Sequence, residues 1–196
     1  MGYSIITISR QYGSGGREIG AKLADRLCIP FYDKALCEEA ARRSGFDSDF
    51  LEQAEQRCGR KFSYLFQPRS GSFFQSLEDQ TFLALAVTIR ELAEQGPCIL
   101  VGRGANRLLA DRKDALHVYI HADRQARLNR IISQYGVAPG QAEKILRDTD
   151  KVRAAYLKDY TDQIMGQAEN YHLSLDSGAL GIGHVVRIME ALYQAE

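Results

Sequence analysis

The feature that most constrains the fold is a β-branched segment that runs directly into a cluster of glycines. Residues 4–8 read Ser-Ile-Ile-Thr-Ile, which is typical of a buried strand. They lead to Gly13-Ser14-Gly15-Gly16. The next apolar residues recur every four positions, as on one face of a helix: Ile19, Leu23 and Leu27. A strand, a glycine turn and a helix in this order open a βαβ unit, so we expect a parallel sheet.

The rest of the chain alternates strands with helices. Apolar runs predict four further strands, at 30–32, 98–101, 116–120 and 171–175. Periodicity and breakers predict helices at 33–44 with Asp33 as a cap, 48–57, 77–95, 139–160 and 185–192, a further helix that carries Leu128, Ile131 and Ile132, and a loop at 62–73. About five short strands separated by helices predict an α/β sandwich with a parallel sheet.

Composition excludes several classes of protein. A chain of 196 residues has room for one domain, and 45% hydrophobic with 26% charged residues is the balance of a soluble globular protein. Because Lys+Arg and Asp+Glu both number 25, no overall charge attracts nucleic acid or an anionic membrane. With no signal peptide, no membrane span and four irregularly spaced cysteines, we expect a cytoplasmic protein with reduced thiols and small-molecule partners. The sequence leaves the oligomeric state open.

The glycine cluster is the strongest chemical feature. Backbone N–H groups at such a turn converge on an anion, and the dipole of the following helix adds positive potential. The segment departs from the P-loop pattern G-x-x-x-x-G-K-[ST]: Gln11 stands at the first glycine, Arg17 at the lysine and Glu18 at the hydroxyl. A phosphate site is one interpretation, and a tight turn that needs glycine only for its geometry is the other. The candidate phosphate-binding residues are Gly13, Ser14, Gly15, Gly16, Arg17 and Glu18.

Three further motifs follow in order along the chain. They are Phe31-Tyr32-Asp33, Val101-Gly102-Arg103-Gly104 and the segment 147–154, Arg-Asp-Thr-Asp-Lys-Val-Arg-Ala. Together with the opening segment 6–17 and with 173–177, they resemble the cytidylate kinase-like family over nearly the whole chain.

The resemblance implies a nucleoside monophosphate kinase of the P-loop NTPase type. Its fold is a three-layer α/β sandwich of five parallel strands with helices on both faces, in one domain spanning 1–196. The implied core is 1–43, 83–135 and 160–196, with an insert that binds the nucleoside monophosphate at about 44–82 and a lid at about 136–159. The implied reaction transfers the γ-phosphoryl group of ATP to CMP or dCMP with Mg²⁺.

The resemblance also implies site residues. Asp33 and Arg103 would bind the acceptor, and the implied catalytic set is Arg17, Arg127, Arg130, Arg147, Asp150 and Arg153. Arg147 lies one position after the family's lid arginine, which falls at Leu146. Asp150 and Arg153, three apart, would share one face of the lid helix. The alternative for the helical arginines is an ordinary solvated surface.

Departures from the family pattern leave three functional hypotheses open. Lys34, Glu38 and Glu39 occupy the places of the family's pyrimidine-binding residues, and the P-loop lysine is absent. The chain is therefore a kinase of a pyrimidine nucleotide, a kinase of another small acceptor, or a nucleotide-binding regulator that does not transfer phosphate.

Overall fold

The computed structural model describes residues 2–33, 35–44 and 77–195. The strands are β1 (Ile5–Arg10), β2 (Phe31–Tyr32), β3 (Cys98–Val101), β4 (Ala115–His121) and β5 (Leu173–Asp176). The helices within these ranges are α1 (Gly16–Leu27), α2 (Ala35–Ser44), α3 (Leu77–Gln95), α4 (Ala105–Leu108), α5 (Arg124–Ser133), α6 (Pro139–Thr161), α7 (Ser177–Leu180) and α8 (Ile182–Gln194). None of these helices is long and apolar enough to span a membrane.

The five predicted strands are all present and form one parallel sheet. Their order is β2-β3-β1-β4-β5, so the first strand lies at the centre. The observed ends differ from the predicted ones by a residue or two. The chain adds strands first on one side of β1 and then on the other, so the strand order reverses beside β1. Open α/β sheets bind ligands at such a topological switch point.

Side chains of β1 alternate between two hydrophobic layers. Ile5 packs with α2 and α3, through Leu36 and Leu85 among others. Ile6 and Ile8 point to the other face and pack with α1 and α8. The central strand is thus buried on both faces, as its continuous β-branched sequence predicts.

The predicted helix that carries Leu128, Ile131 and Ile132 and the predicted helix at 139–160 are confirmed as α5 and α6. They pack on each other through Ile131, Ala142 and Leu146. The predicted lid, 136–159, therefore falls mainly on one continuous helix of 23 residues.

Some predictions lie outside the described residues. These are the helix at 48–57, the loop at 62–73 and most of the insert at 44–82; its end, from Leu77, begins α3. The short helices α4 and α7 were not predicted, because each has a single turn and no apolar period to reveal it.

A buried histidine lies in the central part of the sheet. His117 of β4 pairs in register with Thr7, and its Nδ1 lies 2.8 Å from the Thr7 hydroxyl. The ring stacks on His172 with centroids 4.9 Å apart. Burial, with a smaller effect of His172, lowers the pKa of His117 to about 4.

This environment predicts a pH-dependent stability. In the unfolded chain the histidine titrates near its ordinary value of about 6.5. Between pH 6.5 and 4 the unfolded state therefore binds more protons than the folded state. The free energy of unfolding should decrease as the pH is lowered through this range, by up to about 1.4 kcal/mol per pH unit. Urea unfolding at a series of pH values measures this slope.

A matched pair of variants isolates the contribution of His117. His117→Gln should flatten the slope, whereas His184→Gln on the exposed surface of α8 should keep it. Equal slopes in the wild type and His117→Gln would contradict the prediction.

Candidate functional site

A cleft of about 1290 Å³ opens at the carboxyl ends of the central strands. Its walls are the glycine loop and the start of α1, the segments after β2 and β3, and one face of α6. Predicted site residues that line it are Gly13, Gly15, Gly16, Arg17, Glu18, Asp33, Arg103 and Arg153. Ser14, Arg127, Arg130, Arg147 and Asp150 do not line it.

The glycine loop turns the chain from β1 into α1. Gly13 and Gly15 have left-handed backbones, with φ of 76° and 78°. Ser14 lies behind the loop, where its hydroxyl oxygen is 2.9 Å from the carbonyl oxygen of Gln11 and 3.1 Å from that of Ile120. Among the described residues no side chain caps the start of α1. The first N–H groups of α1 have no partner within the helix, and Gly16, Arg17 and Glu18, which carry them, line the cleft. This arrangement suits an anion.

An aspartate and two arginines form the floor of the cleft. Asp33 is buried, and its carboxylate lies 3.3 Å from Nη2 of Arg10 and 3.0 Å from Nε of Arg17. This carboxylate, predicted to cap a helix and to bind the acceptor, thus holds the arginine that stands at the P-loop lysine position. Sequence reasoning missed Arg10, which is the last residue of β1 and lines the cleft.

The guanidinium of Arg10 packs directly against Gly102. A Cβ at position 102 would lie 1.9 Å from Nη1 of Arg10. The chain then continues through two more left-handed residues: φ is 79° at Gly102, 57° at Arg103 and 70° at Gly104. A left-handed backbone costs a residue other than glycine about 1 kcal/mol. Strain of this kind concentrates at ligand sites, and the half-buried Arg103 lines the cleft.

Glu18 links the glycine loop to α5. Its carboxylate lies 2.6 Å from Nζ of Lys22 and 2.7 Å from Nη1 of Arg130. The hydrogen bond from Lys22, the charges of both cations and the bond from Arg130 together lower the pKa of Glu18. The residue at the P-loop hydroxyl position thus holds Arg130 beside the loop, where a Cβ at Gly15 would lie 3.2 Å from the Arg130 Cζ.

Two further predicted residues contact the loop from behind. Arg127 and Asp150 form an ion pair there, and Asp150 Oδ1 accepts a hydrogen bond of 2.7 Å from the Tyr12 N–H. Arg153 lies three residues after Asp150 on the same face of α6, as predicted, and donates to the Arg10 carbonyl at 3.3 Å. Arg147 lies elsewhere, on the exposed side of α6 beside Asp148.

A polar stripe on α6 is a further part of the cleft that the sequence does not predict. Gln141, Lys144 and Asp148 line the cleft together with Arg153. They recur at helical spacing, so periodicity groups them. Nothing in the sequence says which face of α6 meets the glycine loop.

The cleft suits phosphate groups better than a metal ion held by protein side chains. Within the described part of the chain, no group of three or more His, Cys, Asp or Glu side chains converges. Three acids line the cleft: Glu18 and Asp33 are held by cations of the protein, and Asp148 lies beside Arg147. Magnesium at this cleft would be held chiefly by nucleotide phosphates, as it is in sites with few protein ligands.

Comparison with known proteins agrees with this geometry. A sequence profile of the cytidylate kinase-like family matches residues 5–179. No curated protein sequence matches the chain.

Solved structures share the fold over nearly the whole chain. An uncharacterized protein from Eubacterium ventriosum ATCC 27560 superposes with a TM-score of 0.73 at 22% identity, covering 98% of this chain and 99% of that one. Shikimate kinase from Bacteroides thetaiotaomicron gives 0.58 at 13% identity, covering 97% and 98%. Shikimate kinase from Acinetobacter baumannii, in complex with shikimate, gives 0.52 at 15% identity, covering 95% and 90%.

The loop geometry predicts that Gly15 cannot be replaced without loss of anion binding. A Cβ at Gly15 would lie 2.6 Å from the Ile182 Cδ1, on a backbone with φ of 78°. Gly15→Ala should therefore distort the loop, weaken binding of ATP and inorganic tripolyphosphate by about tenfold or more, and lower the melting temperature. Titration calorimetry measures the two affinities.

Gly183→Ala is the matched control. A Cβ at this position in α8 meets no atom within 4 Å, and alanine is the better helix former. Its affinities should equal those of the wild type. If Gly15→Ala binds both anions as tightly as Gly183→Ala, the glycine loop is only a turn.

Proposed function

This chain belongs to the cytidylate kinase-like family, and on that premise we propose that it transfers the γ-phosphoryl group of ATP to a nucleoside monophosphate, CMP or dCMP. Family and fold together support a kinase that acts on a nucleotide or another small molecule. The nucleoside monophosphate as acceptor and the cytosine base are the parts that we propose. We also propose that the reaction takes place in the cytoplasm with Mg²⁺.

The observation that supports this function is the composition of the cleft described above. The start of α1, whose first N–H groups have no partner within the helix, carries Arg17, and the rest of the lining includes Arg10, Arg103 and Arg153. Phosphoryl transfer gives the protein little covalent chemistry to perform, so positioning and charge stabilisation dominate. Four guanidinium groups and a helix dipole around one volume suit two phosphate-bearing ligands.

On the donor side, the glycine loop would hold the polyphosphate. Arg17 lies in the first turn of α1, and the Arg130 guanidinium lies beside Gly15. We propose that these two replace the missing P-loop lysine. Their acids, Asp33 and Glu18, would orient them. When bound, Mg²⁺ supplies further charge neutralisation at the donor phosphates.

On the acceptor side, Arg103 would bind the acceptor phosphate through its planar guanidinium. An oxygen of that phosphate forms the new bond to the γ-phosphorus, and the bond from this phosphorus to the β–γ bridging oxygen breaks as ADP leaves. The attacking oxygen of a nucleoside monophosphate is already anionic, so no general base is needed. Asp33 is therefore free of any role as a base. Its carboxylate, which is paired with Arg10 and Arg17, would instead hold these two arginines in place.

An acceptor panel tests the proposed function. ADP release is measured with each ribo- and deoxyribonucleoside monophosphate and with shikimate, because the Acinetobacter kinase of the same fold binds shikimate. We expect CMP and dCMP to give the highest kcat/KM. Turnover with shikimate alone would indicate a kinase of another acceptor, and ATP binding without turnover on any acceptor would indicate a nucleotide-binding regulator.

Arg103 is predicted to be needed for turnover and not for folding. Arg103→Ala should lower kcat/KM by about 10³, the lower end of the range for arginines that stabilise phosphoryl transfer. Arg103→Lys should restore the activity only in part, because an ammonium group lacks the bidentate geometry. Steady-state kinetics and a thermal melt are measured on the same samples.

The melt separates the two roles of this arginine. Both variants keep the left-handed backbone, so both should melt within a few degrees of the wild type. An Arg103→Ala protein that melts far lower, or that turns over like the wild type, would make Arg103 a structural residue.

A further inference from the structure

We propose that Arg127 and Asp150 are positioning residues of the glycine loop, which fix its shape from behind and thereby set the affinity for donor phosphates. This inference rests on the proposed function, because it takes the loop to be the donor phosphate site. It assigns these two residues an indirect role in place of the contact with substrate that the family resemblance implies.

One ion pair holds both backbone polar groups of Tyr12. Asp150 Oδ1 accepts from the Tyr12 N–H at 2.7 Å, and Asp150 Oδ2 accepts from Nη1 of Arg127. The same Nη1 lies 3.3 Å from the Tyr12 carbonyl oxygen. The residue that precedes the left-handed Gly13 is thus fixed at its donor and its acceptor by a single acid–base pair.

The pair lies in an environment where such contacts are strong. The side chains of Arg127 and Asp150 are only 10% and 17% exposed. Solvent screens a pair of this burial weakly, and removing one partner leaves an uncompensated charge. Neither residue lines the cleft, and the side-chain hydrogen bonds described for them are to the loop and to each other.

The backbone of α5 also contacts the loop directly. A Cβ at Gly13 would lie 2.9 Å from the Arg127 carbonyl oxygen and 3.2 Å from the Arg127 Cβ. The helix that carries the arginine therefore touches the next loop residue, and Gly13 keeps a φ of 76° against it.

A neighbouring residue of α6 strengthens the same connection. Arg153 donates to the Arg10 carbonyl at 3.3 Å, and its Cζ lies 5.5 Å from the centroid of the Tyr12 ring. The loop from Arg10 to Gly13 is thus held by α6 and α5 together. The loop should lose its fixed shape when the ion pair is broken.

The chain offers a matched control between the same two helices. Arg124 of α5 donates to Glu143 of α6 at 2.9 Å, with both side chains about half exposed or more. The described contacts of this pair do not include the glycine loop. It therefore reports the effect of breaking an ion pair between α5 and α6 without releasing Tyr12.

The test compares Asp150→Asn and Arg127→Met with Glu143→Gln and Arg124→Met. Backbone amide exchange at Tyr12, the affinity for inorganic tripolyphosphate, and the KM values for ATP and acceptor are measured on the full chain. Breaking the buried pair should speed exchange at Tyr12 at least tenfold, weaken tripolyphosphate about tenfold to a hundredfold, and raise the KM for ATP more than that for the acceptor. The control variants should match the wild type.

Asp150→Asn keeps the shape of the side chain but removes the charge that pairs with Arg127, which releases the Arg127 guanidinium from the loop. It therefore decides the question even if Arg127→Met fails to fold. Exchange and tripolyphosphate affinity equal to those of Glu143→Gln would overturn the inference. A fall in kcat with an unchanged KM for ATP would overturn it as well, in favour of direct contact with the reacting groups.

Failure of the proposed function gives a different result. A wild type that binds tripolyphosphate but transfers phosphate to no acceptor would end the kinase proposal. The exchange and tripolyphosphate measurements would then still decide on the positioning pair.

Discussion

The N–H groups at the start of α1 must meet an electronegative partner, and the rest of the site is arranged around that requirement. They lie at the end of the central strand, β1. The strands β2 and β3 lie on one side of β1, and β4 and β5 lie on the other. The crevice left there is open to a ligand, because neither neighbouring connection crosses it. Burial of β1 on both faces fixes the position of α1 and therefore the direction in which its N–H groups point.

Acids around the cleft control where its arginines lie. In the cleft Asp33 holds Arg10 and Arg17, and beside the glycine loop Glu18 holds Arg130. A long arginine side chain loses much rotamer freedom when it grips a ligand. Pairing each one with an acid in the protein meets part of that cost before a ligand arrives. The zero formal net charge of the chain is compatible with this cationic cleft, because the compensating acids lie beside the arginines.

The sequence predicts the strands and the longer helices of this fold well, because buried apolar residues recur with the period of the strand or helix that carries them. The continuous apolar runs of β1 and β3 and the four-residue spacing of α1 correspond directly to the two hydrophobic layers. The one-turn helices α4 and α7 are too short to carry such a pattern.

The candidate site is predicted in part, for a physical reason. Glycines at positive φ and the Gly102-Arg103-Gly104 turn are local features, so the sequence marks them. The partner of a long side chain is set by packing between distant elements. How α5, β3 and α1 meet decides three such contacts: Arg127 with the back of the loop, Arg10 with Gly102, and Glu18 with Arg130.

The left-handed turn at position 103 has a consequence for protein design. An algorithm that optimises folding energy on this backbone would choose glycine there, and the more stable protein would have lost a cation from its cleft.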